Sequence, residues 1–259
     1  MSSYPALVCV PSVEPFESVS SWLCRLALSQ GVSPGDICDY LDVGITSEID
    51  FQFHGSRLAN LRTICGLPET AFHVHDRVIS SLVKAAVSGN KLLARDESKW
   101  LRYRYCVGCL GEMQTPSYPI HWRFVPWRWC PVHDCLMESE CQNCKSAILL
   151  PRDLAIGGTA RKGVGTLSRC LICGERLTDR QPCNVSDLST DQITVWERLQ
   201  LSNGRALLAA LYYAKFSFAG QLGSKTMGSL SRALQAVPFS TKFDYISADT
   251  VRRRQASQQ

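Results

Sequence analysis

The first ninety residues carry apolar side chains at the spacing of amphipathic helices. The first apolar stripe comprises Trp22, Leu23, Leu26, Ala27 and Leu28. Its repeat of three to four residues predicts a helix, and the serines just before it offer N-caps. Gly31 is expected to end this helix. A second helix is predicted to begin at Ser33-Pro34, because serine caps a helix and proline fits its first turn.

Two helices joined by a short glycine-containing turn have the shape of a helix-turn-helix. Any small helical bundle shows the same pattern, so DNA contact by this unit stays open at the level of sequence. Residues 56–65 and 69–87 return to helical periodicity. Further helical runs are predicted after residue 189, over 206–216 and over 227–237. The pattern therefore predicts a mainly α protein.

Residues 105–145 depart from this pattern, because cysteines recur there at short intervals. Four ligand pairs, each with two residues between its members, occur in this stretch and just beyond it. They are Cys106 with Cys109, Cys130 with His133, Cys141 with Cys144, and Cys170 with Cys173. Zn²⁺ prefers four nitrogen or sulfur ligands in a tetrahedron, so two such pairs supply one site. Pairing in chain order predicts two structural zinc ions, one on the first four residues and one on the last four.

Other uses of paired cysteines fit this sequence less well. Disulfides need an oxidising compartment, and the first residues, MSSYPALVCVP, lack the pattern of a secretory signal. A redox C-x-x-C usually stands alone at the start of a helix, whereas these pairs come in multiples. A catalytic zinc needs an open position, which four protein ligands do not leave. His121 and Cys135 are spare candidate ligands for the first site, and Cys135 replaces His133 if the register slips.

The amino-acid composition limits the classes of protein to which this chain can belong. The chain has 259 residues, 45% of them hydrophobic and 20% charged, as is ordinary for a soluble globular protein. No apolar run is long enough to cross a bilayer. Thirteen cysteines without a secretory signal indicate a reducing compartment, and we expect a cytoplasmic protein. The net charge of +5 permits nucleic-acid binding without requiring it.

Basic residues near the cysteine pairs are candidate contacts to nucleic acid. The candidates are Arg102, Arg104, Arg123, Arg128, Arg161 and Lys162. Tryptophans interleave with the arginines of residues 117–129, and such a mixture is able to stack on bases and neutralise phosphates. Packing over the metal explains the tryptophans better, because a zinc module has little core of its own. The basic, glycine-rich loop over 152–169 fits a solvated insertion and a nucleic-acid contact equally well.

The expected architecture has three parts. Residues 1–90 form an N-terminal helical domain with the helix-turn-helix, 91–180 a double zinc-binding module, and 181–259 a C-terminal helical region with a polar tail. The fold class is therefore mainly α with small, irregular zinc-ribbon or zinc-finger modules. No cluster of acidic residues suited to a catalytic metal is evident, so we expect no enzymatic activity.

Four stretches carry a resemblance to the TniQ family of transposition proteins, which includes TnsD-like target selectors. They are residues 17–34, 104–112, 121–148 and 170–177. The resemblance implies that the eight paired residues bind two zinc ions, and it suggests dimerisation. Cys135 stands where a small or aliphatic residue is usual in the family. The chain is also shorter than TnsD-like members, which carry long C-terminal DNA-reading regions.

The leading hypothesis from the resemblance is a non-enzymatic adaptor for target-site selection. Such an adaptor links target DNA, or an RNA-guided targeting complex, to the AAA+ ATPase regulator of the transposase (TnsC/TniB-like). The alternative is a zinc-containing helix-turn-helix transcriptional regulator that binds DNA on its own. The alternative predicts tight DNA binding by this chain alone, with a steep dependence on salt.

Overall fold

The computed structural model describes residues 7–84, 92–157, 166–188, 192, 194, 197, 201 and 203–215. Within these residues it contains eight α-helices and one two-stranded sheet. The helices are α1 (Val19–Gln30), α2 (Pro34–Tyr40), α3 (Ile49–Gln52), α4 (Gly55–Ile64), α5 (His73–Lys84), α6 (Val107–Glu112), α7 (Arg152–Gly157) and α8 (Asn203–Tyr213). The strands β1 (Trp129–Cys130) and β2 (Cys135–Leu136) pair antiparallel. The mainly α fold class is confirmed.

Local capping sets both ends of α1 and the start of α2, as the sequence predicted. The Ser18 hydroxyl accepts a hydrogen bond from the N–H of Ser21 and caps α1, which ends at Gly31 in the left-handed conformation. Ser33 and Asp36 form a reciprocal capping box at the start of α2. The two helices are thus joined by a short turn. Their use as a DNA-reading helix-turn-helix stays a prediction.

The C-terminal helix α8 packs against α5, so the first and last described parts of the chain share one core. Leu207, Leu208 and Leu211 of α8 are buried. The Ser81 hydroxyl of α5 donates a hydrogen bond to the carbonyl oxygen of Leu211 at 2.7 Å. Gly204 lies against the backbone of residues 126–127, where a Cβ atom would approach the Cα of Trp127 to 2.8 Å. The division into three domains stays a prediction.

A buried polar cluster joins the N-terminal helices to the central region. The Arg123 guanidinium, which has no exposed surface, pairs with Asp50 of α3 at 2.6 Å. It also donates to the Ser20 hydroxyl of α1 and to the carbonyl oxygen of Leu150, both at 3.0 Å. It lies 4.0 Å above the ring of Tyr103. A buried charge needs such partners, because an isolated one is very costly to desolvate.

Three sequence predictions fall wholly or largely outside the described residues. The helix predicted over 227–237 and most of the run after residue 189 lie there, as do Arg161 and Lys162. In the described part of the chain, no helix combines the length and apolar character needed to cross a membrane.

Candidate metal centres

The first predicted ligand set comes together in one cluster, which we call site one. The ligand atoms of Cys106, Cys109, Cys130 and His133 all lie within 4.8 Å of one another. The Nδ1 atom of His133 is 3.6, 3.3 and 3.7 Å from the three sulfurs in chain order. The sulfurs of Cys109 and Cys130 are 3.5 Å apart.

These separations suit a tetrahedral ion. Zn–S bonds of about 2.3 Å and Zn–N bonds of about 2.0 Å place tetrahedral ligand atoms about 3.5 to 3.8 Å apart. The donors are three sulfurs and one imidazole nitrogen, which are the ligands that Zn²⁺ prefers. Site one therefore fits a structural zinc ion in both distance and chemistry.

A helix start and a strand turn position the four side chains of site one. Cys106 is the N-cap of α6, and its sulfur accepts the N–H of Cys109 at 3.4 Å. Cys130 ends β1, and His133 lies in the turn that leads to β2. Asp134 closes that turn with a φ of 47°. Its carboxylate is held by the indole N–H of Trp129 and the N–H of Ser186.

Gly108 and Glu112 also shape site one, and neither was predicted from the sequence. Gly108 leaves room for the imidazole, because a Cβ atom there would lie 2.5 Å from the Cδ2 of His133. Glu112, one helical turn after Cys109, places its carboxylate 3.0 Å from the Nε2 of His133. A carboxylate on the outer nitrogen fixes the tautomer and orientation of a metal-binding histidine. In the sequence, the features that point to these two roles are the glycine between Cys106 and Cys109 and the glutamate one helical turn after Cys109.

The two spare candidates for site one have different positions. Cys135 is fully buried, and its sulfur is 3.5 Å from that of Cys106. It pairs across the strands with Cys130, outside the four-residue cluster. His121 is buried instead between the rings of Phe16 and Trp127. Burial lowers the pKa of His121 to about 3, so this side chain is a neutral part of the core.

The second predicted set also comes together, and we call it site two. The ligand sulfurs of Cys141, Cys144, Cys170 and Cys173 lie within 4.8 Å of one another. Cys141 and Cys173 are 3.6 Å apart, and Cys144 and Cys170 are also 3.6 Å apart. The separations and the four-sulfur donor set again match a tetrahedral zinc site.

Site two is built from two turns of the same design. In each turn, the N–H of the residue after the second cysteine donates to the carbonyl oxygen of the first at 2.8 Å. The donors are Lys145, with a φ of 58°, and Gly174, with a φ of 82°. This left-handed residue lets each turn close with both sulfurs on one side. Glycine adopts this conformation readily, whereas lysine adopts it at a cost.

One cysteine of each site has a pKa below the usual value of a thiol, whereas burial raises the pKa of Cys141 and Cys170 in site two. The pKa of Cys106 is lowered to about 7, chiefly by its hydrogen bond with the Cys109 thiol. Desolvation by burial raises the pKa of Cys173, but hydrogen bonds led by the N–H of Glu175 outweigh it and bring the value to about 6. The thiolate is the form that binds metal, so each cluster holds a cysteine that ionises near neutral pH.

The candidate nucleic-acid contacts divide into three groups. Arg123 is sealed in its ion pair with Asp50, so DNA has no access to it in this fold. Arg102, Arg104 and Arg128 line one cleft. Of these three, Arg128 is exposed and Arg104 is buried. Arg161 and Lys162 lie outside the described residues.

The tryptophans between the ligand pairs of site one are largely part of the core. Trp122 and Trp127 are 3% and 2% exposed, which leaves no ring face for a base. Trp122 stacks edge-on against Tyr118, and Trp127 packs against His121. Packing therefore accounts for these rings, as the sequence argument favoured.

Comparison with known proteins agrees with this architecture. The sequence profile of the TniQ family matches residues 8–137, which run from the segment before α1 to the end of the first ligand cluster. This match covers just over half of the 259 residues. No curated protein matches the chain. At the level of the family, the match supports a DNA-binding adaptor role associated with transposition. The chain belongs to the TniQ family.

Proposed function

We propose that each cluster binds one structural Zn²⁺, through Cys106, Cys109, Cys130 and His133 in site one and through Cys141, Cys144, Cys170 and Cys173 in site two. The bound ions would fix loops that have little regular structure of their own. Four protein ligands leave no open position for a substrate, which supports a structural role. Metal analysis of protein purified without chelator should give two zinc ions per chain, and less than one would contradict the proposal.

We propose that the protein is a non-enzymatic adaptor in target-site selection for DNA transposition. It would link target DNA, or an RNA-guided targeting complex, to the AAA+ ATPase regulator of the transposase. The observation that carries this proposal is the family match over residues 8–137, which spans α1 to α6 and the whole of site one. Dimerisation of the adaptor stays a prediction that analytical ultracentrifugation would test.

The surface of α2 supports a protein partner for the predicted helix-turn-helix. Asp36, Asp39 and Asp42, on or just after α2, are all exposed. Carboxylates repel the phosphate backbone, so an acidic second helix is poorly suited to the major groove. The same charges would attract a basic surface on a protein.

Gel-shift binding tests the adaptor against its alternative. Zinc-loaded protein is mixed with random DNA and with element-end DNA, in the presence and absence of the element's ATPase. We expect weak binding by the chain alone and a ternary assembly once the ATPase is present. Tight, sequence-selective and steeply salt-dependent binding by the chain alone would instead identify a transcriptional regulator or a direct target reader.

A further inference from the structure

A cleft of about 820 Å³ brings together three arginines that are separated in sequence. Arg102 and Arg104 alternate with Leu101, Tyr103 and Tyr105, which are buried in the core. Because side chains alternate along an extended segment, both arginines point to the side opposite these three residues, where Arg102 is half-buried and Arg104 is buried. Arg128 reaches the cleft from the segment before β1. The volume is that of an ordinary ligand or peptide pocket.

The three arginines concentrate positive charge in one cleft. In the described part of the chain, no carboxylate lies within ion-pair distance of any of them. Arg104 is 7% exposed, and its guanidinium donates a hydrogen bond to the carbonyl oxygen of Phe124 at 2.7 Å. The Nε atom of Arg102 is buried and has no hydrogen-bond partner there. Like charges held together in a partly buried place indicate a site that an anion completes.

Among the described lining residues there is one carboxylate, and it is hydrogen-bonded within its own segment. Glu197 is exposed, and its carboxylate accepts hydrogen bonds from the N–H and the hydroxyl of Thr194 at 2.7 and 2.9 Å. It forms no salt bridge with Arg102, Arg104 or Arg128 in the described structure.

The rest of the cleft is aliphatic. Val125, Leu136, Met137 and Leu188 line it beside the arginines, and none of the lining residues that the structure describes is aromatic. Single-stranded nucleic acids usually bind on aromatic platforms, where the bases stack. Aliphatic walls with a methionine instead suit leucine-like side chains of a protein segment. The combination of cations and aliphatic walls calls for a ligand that is both acidic and apolar.

We propose that this cleft binds an acidic, apolar peptide segment of a protein partner, with its carboxylates on Arg102, Arg104 and Arg128 and its apolar side chains on Val125, Leu136 and Met137. This inference rests on the proposed adaptor function only in taking the partner to be a protein of the transposition assembly. The sequence analysis considered these three arginines as nucleic-acid contacts, and the proposed ligand is now a peptide.

Fluorescence anisotropy with labelled probes tests the proposal directly. The probes are a glutamate–leucine peptide, a glutamate–serine peptide of equal length and charge, and an oligothymidine of matched charge. We expect the glutamate–leucine peptide to bind at least about tenfold more tightly than the other two, because only it buries apolar area in the cleft.

Two variants and a matched control locate the binding. Arg128→Glu should weaken binding of the glutamate–leucine peptide by about tenfold or more, since it removes a charged hydrogen bond and adds repulsion. Leu136→Gln should weaken the glutamate–leucine peptide and leave the glutamate–serine peptide unchanged. Arg57→Glu makes the same charge change on the exposed face of α4 and should alter binding by less than about twofold. Zinc content verifies that each variant is folded.

The possible results distinguish the peptide proposal from a nucleic-acid site and from the adaptor proposal. Unchanged peptide binding in Arg128→Glu would overturn the proposal. Tighter binding of oligothymidine, lost in Arg128→Glu, would make the cleft a nucleic-acid site instead. The assay contains neither DNA nor ATPase, so failure here leaves the adaptor proposal standing. Conversely, failure of the ternary gel shift would leave a positive peptide result intact.

Discussion

The two metal clusters use the same ligand spacing but have different surroundings. Site one combines the start of α6 with the turn between β1 and β2, and Cys106 is completely buried. Site two consists of two facing turns, and Cys173 is exposed. The residues flanking Cys106, Tyr105 and Val107, belong to the main core. We therefore expect ligand pairs of the same spacing to contribute differently to stability, according to how deeply their ligands are buried.

Removing one ligand from each site is the strongest test of this difference. Cys106→Ser should abolish site one and lower the thermal midpoint by about 10 °C or more, because a buried ion and the core around it are lost together. Cys173→Ser should remove site two with a clearly smaller drop. Zinc analysis and thermal unfolding by circular dichroism measure both effects. Equal drops in midpoint would refute the ranking of the two sites.

Closing the space that His133 occupies tests how tightly site one is packed. Gly108→Ala places a methyl group 2.5 Å from the imidazole, so the imidazole must move. We expect site one to lose about 10- to 100-fold in zinc affinity, as when a metal ligand is misoriented. Competition with a chromophoric chelator measures the affinity.

Gly111→Ala is the matched control for Gly108→Ala. It lies in the same helix, and its added Cβ would meet Thr178 no closer than 3.8 Å. Site two should keep its affinity in both variants. A normal site one in Gly108→Ala would show that the imidazole has room to move.

The core beside site one should also be sensitive to acid. The pKa of His121 is lowered by burial from 6.5 to about 3. The unfolded chain therefore binds a proton that the folded chain excludes, and stability falls as the pH drops below about 6.5. Between pH 6.5 and 5 this amounts to about 2 kcal/mol.

His121→Phe should remove that part of the pH dependence. The Nδ1 atom of His121 is buried without a partner in the described structure, so an aromatic ring without polar atoms fits the same place. Urea unfolding at the two pH values compares the variant with the parent protein. If the free energy of unfolding falls equally with pH in the parent and in the variant, the pH dependence does not come from His121.

The smallest expected effects concern the turns of site two. Gly174→Ala forces alanine into a φ of 82° and should cost about 1 kcal/mol, because a Cβ atom disfavours the left-handed conformation. Lys145→Gly should relieve a similar strain in the facing turn, where φ is 58°. Urea unfolding should show opposite signs for the two changes. Changes of the same sign would mean that backbone conformation does not govern these turns.

Local sequence determined a large part of this structure. The ends of α1 and α2 were predictable because Ser18, Gly31 and the Ser33–Asp36 box act within a single turn. The membership of both ligand clusters was also predictable, since each C-x-x-C or C-x-x-H pair presents two ligands from one turn and only the pairing of turns remained to be chosen.

Only the tertiary structure decided which basic residues are accessible. Arg123 and Arg128 look alike in sequence, yet Arg123 is buried on Asp50, a residue far away along the chain, and Arg128 is exposed. The shared cleft of Arg102, Arg104 and Arg128, the clearance at Gly108 and the contact of α8 with α5 likewise depend on distant segments. Caps and ligand turns act over three or four residues, whereas burial and charge pairing depend on the whole packed chain.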